Sequence, residues 1–326
     1  MIITVTPNPS IDRTVALTGE LARGAVHRAS AVSSEPGGKG VNVARALTLA
    51  GVDTVAVLPA GENDPFLTAL RAQQVRFHAV PVSGGVRTNL AITEPDGTTT
   101  KINEPGSALS AAEAAELTEA VAERAQFAHW VVLSGSLPPG LPVTWYSEMV
   151  AALRPYGCKV AVDTSDAPLA ALAAGLADAA PDLVKPNSEE LAGLAGVTAE
   201  SLETALAQGD PGPVVSAARY LLDRGVKTVL ATLGAAGAVL VDGTGAWLAT
   251  PPPVRPRSTV GAGDSALAGY VRADVSGASA PARLQMAVAY GSAAAALPGS
   301  ALPTPAQLNL DDVVVTSVTD PSEGVS

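Results

Sequence analysis

The chain has 326 residues, 47% hydrophobic and 16% charged, a composition that can bury a large core and excludes a disordered chain. Lys and Arg number 20 against 31 acidic residues, a formal charge of −11, which argues against a general nucleic-acid binder and leaves any anionic ligand to a local basic site. A single cysteine, Cys158, has no partner for an internal disulfide, as expected of a reducing compartment.

In chain order, residues 2–6 read as a first strand. No basic region precedes an apolar one there, so they do not read as a leader. Residues 11–32 hold two extended stretches without a helical pattern. A helix is predicted over 41–50, stopped by Gly51, followed by a strand over 54–58 and a helix over 64–74. Residues 86–104 form a hairpin pattern about the Asp96-Gly97 turn. Beyond it come helices over 111–126, 144–154, 188–194 and 214–223, and strands over 130–134, 159–163, 183–185, 228–232 and 238–241. The apolar stretch 287–297 is broken by Gly291 and Ser292 and is too short for a bilayer, which takes roughly 20 apolar residues. No membrane role is expected, and the protein is placed in the cytoplasm.

Strands that read as continuous apolar runs, alternating with helices, predict an α/β fold with a doubly wound, mainly parallel sheet sandwiched by helices. The extended pieces in 11–32 and 86–104 are expected to pair as a small β-sheet serving as a lid or as the surface of a homodimer. Residues 1–310 are expected to form one domain and 311–326 a C-terminal tail. In such sheets ligands lie outside the carboxyl ends of the strands.

Two glycine-rich segments carry chemistry. In Ser258-Thr259-Val260-Gly261-Ala262-Gly263-Asp264-Ser265 a tight turn opens a helix, whose free N–H groups receive phosphate oxygens. Asp264 would repel a phosphate, so it makes sense there if it faces an acceptor hydroxyl; the alternative is a plain helix N-cap. In Pro36-Gly37-Gly38-Lys39-Gly40-Val41-Asn42 the backbone N–H groups of Gly37 and Gly38 can meet sugar hydroxyls. Asn42 can donate and accept towards the same pocket, and Lys39 can serve a phosphate. The spacing is not that of a Walker A loop.

These segments resemble the ribokinase-like phosphofructokinase B family of carbohydrate kinases, and the resemblance runs through nearly the whole chain. Thr6-Pro7-Asn8-Pro9-Ser10-Ile11-Asp12 is similar to the opening of its hexose-phosphate branch, and the two glycine segments to its two signatures. Ser134-Gly135-Ser136-Leu137-Pro138-Pro139-Gly140, Asp163-Thr164-Ser165, Lys185-Pro186-Asn187-Ser188-Glu189-Glu190 and Thr232-Leu233-Gly234 follow in family order. The resemblance implies that Asp264 is the catalytic base, with Gly261, Ala262 and Gly263 as the anion hole. It places Asp12, Gly38 and Asn42 at the sugar hydroxyls. It matches Arg87 to the arginine that binds the sugar's existing phosphate, with Asn89 nearby and Lys101 assisting from the paired strand. Lys185 and Asn187 would lie near the phosphates of ATP, Thr232, Gly234 and Gly237 would line the nucleotide, and Glu190 would help place Mg2+ through water.

Other readings stand beside these. Arg87 fits a solvated edge strand, Asp12 a turn, and Asn187 with Glu190 a helix cap with a surface acid. His27, His78 and His129 have no ligand spacing, and Cys158 reads as core. The expected reaction is ATP-dependent phosphorylation of fructose 1-phosphate at its 6-hydroxyl, with tagatose 6-phosphate and fructose 6-phosphate as alternatives. A dinucleotide-dependent oxidoreductase fails where its Gly-x-Gly-x-x-Gly turn belongs, because Pro7-Asn8-Pro9-Ser10 follows the first strand. A non-catalytic sugar-phosphate-binding regulator on the same scaffold is the more distant rival.

Overall fold

The computed structural model describes residues 1–318. In chain order its elements are β1 (Ile2–Val5), β2 (Ser10–Leu17), β3 (Ala29–Gly37), α1 (Lys39–Leu49), β4 (Thr54–Ala60), α2 (Pro65–Ala72), β5 (Phe77–Pro81), β6 (Arg87–Thr93), β7 (Thr99–Asn103), α3 (Ala111–Ala125) and β8 (Trp130–Ser134). There follow α4 (Trp145–Leu153), β9 (Lys159–Asp163), α5 (Asp166–Ala174), α6 (Leu176–Ala179), β10 (Leu183–Val184), α7 (Ser188–Ala195), α8 (Ala199–Ala207), α9 (Gly212–Leu222), β11 (Thr228–Thr232), β12 (Ala238–Asp242), β13 (Gly245–Thr250), α10 (Ala262–Val275), α11 (Ala280–Ala295) and β14 (Val314–Ser317).

The main sheet has ten strands in the order β14-β13-β12-β11-β10-β9-β8-β1-β4-β5. From β11 to β5 every pairing is parallel, while β12, β13 and β14 add an antiparallel flank. Successive side chains of a strand point to opposite faces, and here both faces are covered. Ile3, Val5, Val131 and Leu133 of β1 and β8 enter one core with α3, α4 and α9; Ile2, Trp130 and Val132 enter the other with α1, α10 and α11. Burial on both sides is why these strands read as unbroken apolar runs.

A second sheet, β3-β2-β6-β7, joins the two extended regions read from the sequence. Strand β2 runs antiparallel to β3 and parallel to β6, and the hairpin β6–β7 is antiparallel. The chain beyond Leu310, expected to be a tail, contributes β14, paired with β13 from Trp247↔Ser317 to Thr250↔Val314. Residues 319–326 of that tail lie outside the described residues. Among the described residues no helix is long and apolar enough to cross a membrane; the apolar stretch 287–297 is largely the end of α11.

Candidate active site

The two glycine turns meet. Gly38, in the left-handed region at φ 103°, is the N-cap of α1, and Gly261 at φ 76° is the N-cap of α10; neither helix start is closed by a side chain. One turn into α1, Asn42 donates from Nδ2 to Oδ2 of Asp264 at 2.8 Å, across 222 residues of sequence. Asp264 is therefore not an N-cap. It stands in the first turn of α10, buried to 7% exposure, with its carboxylate turned to α1. The Ala262 N–H already points at the Thr259 carbonyl at 3.3 Å, so Gly263 and Asp264 carry the first-turn amides for which the helix itself has no partner. A carboxylate and a fan of N–H groups thus flank one spot, the arrangement that receives an acceptor hydroxyl and a transferring anion.

A second buried carboxylate organises the cations. Asp163, at the carboxyl end of β9, accepts from Lys39 Nζ at 2.8 Å, and Lys185 Nζ lies 3.3 Å from its other oxygen. A Cβ on Gly263 would come 3.2 Å from that same Lys185 Nζ, so this glycine lets the ammonium lie against the start of α10. Burial would raise the pKa of Asp163, but Lys185 and Lys39 outweigh it and hold the carboxyl below its ordinary value. Burial raises Asp264 above its ordinary value; Lys39, the Asn42 amide and Lys185 oppose that shift, and the Asp163 charge adds to it. For Lys39, burial is more than offset by Asp163 and Asp264, and its pKa is raised.

On the side of the small sheet, Asp12 accepts from Ser10 Oγ (2.8 Å) and from Asn89 Nδ2 (3.1 Å), and its carboxylate occupies the space that a Cβ on Gly37 would fill. Arg87, at the start of β6, donates to the Glu104 carbonyl at 2.8 Å and to Ser136 Oγ at 3.2 Å. Ser136 also accepts from Asn8 Nδ2 at 3.3 Å. Arg87 is thus not a solvated decoration: it is half-buried, with its Nε lacking a partner, and burial lowers its pKa. Lys101 shares the face of Arg87 through the register Ala91↔Lys101, but stands four residues further along β6, roughly 13 Å at about 3.3 Å per residue, and is exposed. The structure does not bring it to Arg87.

The remaining predicted residues gather at the ends of β10 and β11. Asn187 bridges to Thr232 in parallel register, and the Thr232 N–H donates to the Pro186 carbonyl at 2.9 Å. Asn187 and Glu190 form a reciprocal capping box at the start of α7, the Asn187 side chain accepting from the Glu190 N–H at 2.8 Å and the Glu190 carboxylate from the Asn187 N–H at 2.9 Å. Gly234 and Gly237 bound the short turn between β11 and β12. Three residues without an assigned role in the sequence also contact these groups: Asp163, Ser136 and Arg45, whose Nη1 donates to Asn42 Oδ1 at 3.3 Å. A charged residue closing an apolar strand was the available signal for Asp163, since ligands gather at the carboxyl ends of such strands.

Comparison with known proteins gives a consistent result. Residues 6–307 match the model of the pfkB family carbohydrate kinases. The chain is 39% identical over 274 residues to the 1-phosphofructokinase of Xanthomonas campestris pv. campestris, covering 83% of each chain. It is 34% identical to the ATP-dependent 6-phosphofructokinase isozyme 2 of Escherichia coli K12, covering 92% of this chain and 94% of that one. Phosphofructokinase-2 from Escherichia coli, solved in complex with substrates and products, superposes with a TM-score of 0.84 at 32% identity over 94% of this chain and 96% of that one.

Proposed function

The chain belongs to the pfkB family of carbohydrate kinases, and from that premise we propose that it transfers the terminal phosphoryl group of ATP to the 6-hydroxyl of fructose 1-phosphate. The observation that carries the reading is the junction of Asn42 with Asp264 beneath the uncapped start of α10. Phosphoryl transfer asks for in-line placement and for cancellation of charge on the moving group. Asp264 holds the acceptor hydroxyl and takes its proton; the amides of Gly263 and Asp264, with Lys185 alongside, face the phosphoryl oxygens.

Asp12 and Asn89 hold the sugar, and Arg87 with Ser136 takes the phosphate already on it. Lys185, Asn187, Thr232, Gly234 and Gly237 hold the nucleotide. Mg2+ keeps waters and phosphate ligands and asks one or two carboxylates of a protein, which suits Glu190 at the start of α7; bound there, it would neutralise charge on the donor phosphates. The name of the Xanthomonas relative supports fructose 1-phosphate, and that of the Escherichia coli enzyme keeps fructose 6-phosphate as the second reading. The small sheet acts as a lid and as the surface of a homodimer, and the protein works in the cytoplasm.

Release of ADP measured in parallel with fructose 1-phosphate, fructose 6-phosphate, tagatose 6-phosphate and unphosphorylated sugars tests the proposal. Fructose 1-phosphate is expected to give the highest kcat/KM, and Arg87→Ala to raise its KM roughly ten- to hundredfold, the cost of losing a charged hydrogen bond. An unphosphorylated sugar turning over as well as the phosphosugars would remove the phosphate anchor.

A further inference from the structure

Arg45 lies on α1, one turn beyond Asn42, at 7% exposure. From one side of its guanidinium, Nη1 donates to Asn42 Oδ1 at 3.3 Å and to the Pro36 carbonyl at 3.0 Å. From the other, Nη2 donates to Glu35 Oε2 at 3.2 Å and Nε to Gln73 Oε1 at 2.6 Å, while Gln73 Nε2 donates to the same Glu35 oxygen at 2.6 Å. Glu35 and Pro36 end β3 where the small sheet enters the first glycine turn, and Gln73 closes α2. The fork is therefore fixed by the ends of two elements, β3 and α2, before it reaches Asn42.

That contact decides which way the Asn42 amide faces. A guanidinium only donates and an ionised carboxylate only accepts. With Arg45 on one side and Asp264 on the other, only one orientation is satisfied: oxygen to Arg45, NH2 to Asp264. A flipped amide would set its oxygen against the carboxylate and its NH2 against the guanidinium.

We propose that Arg45 is a positioning residue for the phosphoryl transfer, holding the Asn42 amide so that its NH2 orients Asp264 and tying that orientation to the root of the small sheet. The proposal rests on the reading of Asp264 as the base. The charged groups that face Asp264, namely Lys39 from α1, Asp163 from β9 and Lys185 after β10, are untouched by a change at Arg45. Loss of the guanidinium therefore alters Asp264 through Asn42.

The experiment is a double-mutant cycle of Arg45→Met and Asn42→Ala in the full chain, with kcat measured across pH. Arg45→Met is expected to lower kcat roughly 10²-fold, the scale of a small misplacement at a reacting centre. Its acidic limb is expected to move to higher pH, because the donor that favours ionised Asp264 is no longer held. In the Asn42→Ala background Arg45→Met is expected to add little, since coupled residues depart from additivity. Full additivity with an unmoved acidic limb would overturn the proposal, as would unchanged kcat in Arg45→Met. Should Arg45→Met fail to fold, Arg45→Lys, which keeps the charge and loses the fork, enters the same cycle with the same two outcomes. Asp264→Asn runs alongside: full turnover in that variant would sink the base reading itself, whereas its loss together with an additive cycle would sink this inference alone.

Discussion

Asp264 and Asp163 are both buried and both feel the Lys39 ammonium, yet burial wins at Asp264 and the paired cations win at Asp163. The sign of each shift fixes what pH does to stability. A carboxyl whose folded pKa is raised makes the folded state bind its proton more readily, so stability grows as pH falls through that pKa and is lost as pH rises. A carboxyl whose folded pKa is depressed contributes stability that is present above the unfolded pKa and is lost as pH falls through the folded one. Replacing each by asparagine should thus act in opposite directions. Asp264→Asn is expected to lose ~10²–10⁴-fold in turnover, the range of general-base assistance. Near neutral pH it should unfold at or above the wild-type temperature, by a margin that shrinks as the solution is acidified. Asp163→Asn is expected to cost about 3–5 kcal/mol near neutral pH, because Lys185 at 4% exposure loses its counter-charge. Thermal unfolding of both variants over a pH series, with turnover beside it, is the check. A destabilised Asp264→Asn would mean that its ionised form is favoured in the fold. Of this chemistry the glycine turns and Asp264 were legible, because each motif is contiguous. The Lys39–Asp163 pair was not, since its members stand 124 residues apart and meet only through the sheet.

At the scale of elements, what the sequence disclosed follows burial. Strands β1 and β8, buried along their whole length, announce themselves as apolar runs. Strand β5 is a half-buried edge that carries His78 and ends at Pro81, and β14 is a mostly exposed edge, so neither has such a run. Helix α11 is so rich in Ala that small residues surround it on every side and no stripe marks its buried face. The junction of β3 with α1 was legible as a glycine turn, but its tightest contact was not. A Cβ on Gly37 falls on the Asp12 carboxylate, which Ser10 and Asn89 hold in place. Gly37→Ala should therefore displace Asp12. A hydrogen bond to a charged group is worth about 1.5–3 kcal/mol, so the KM for the phosphosugar is expected to rise roughly ten- to hundredfold. The KM for ATP, whose proposed residues lie at the ends of β10 and β11, should stay near the wild-type value. Initial rates with each substrate varied in turn separate the two, and an equal rise in both constants would remove Asp12 from the sugar side.

For the whole molecule, the small sheet raises the question of what covers its outer face. Register puts Ser10, Asp12, Arg87 and Asn89 on one face, and Arg13, Val15, Val32, Leu90, Ile92 and Ile102 on the other. Val32 and Ile102 are 50% and 54% exposed. A four-stranded sheet with polar groups on its site-facing side and β-branched residues opposite is patterned for burial on both sides, and contiguous exposed apolar patches mark interaction surfaces. In the proposed homodimer a second copy would supply a matching face, because a two-fold interface joins the same patch on both subunits. Association would then fix the sheet that carries Asp12, Arg87 and Asn89, so that the proposed sugar site would depend on the dimer while the two cores of the main sheet would not. The double variant Val32→Glu/Ile102→Glu is expected to sediment as a monomer where the wild type sediments as a dimer. Its KM for the phosphosugar should be raised, and its main unfolding transition should stay near the wild-type temperature. A wild-type chain that sediments as a monomer at assay concentration, or a variant that stays dimeric, would place the interface elsewhere. A variant that becomes monomeric with unchanged kinetics would show that the lid orders itself without a partner.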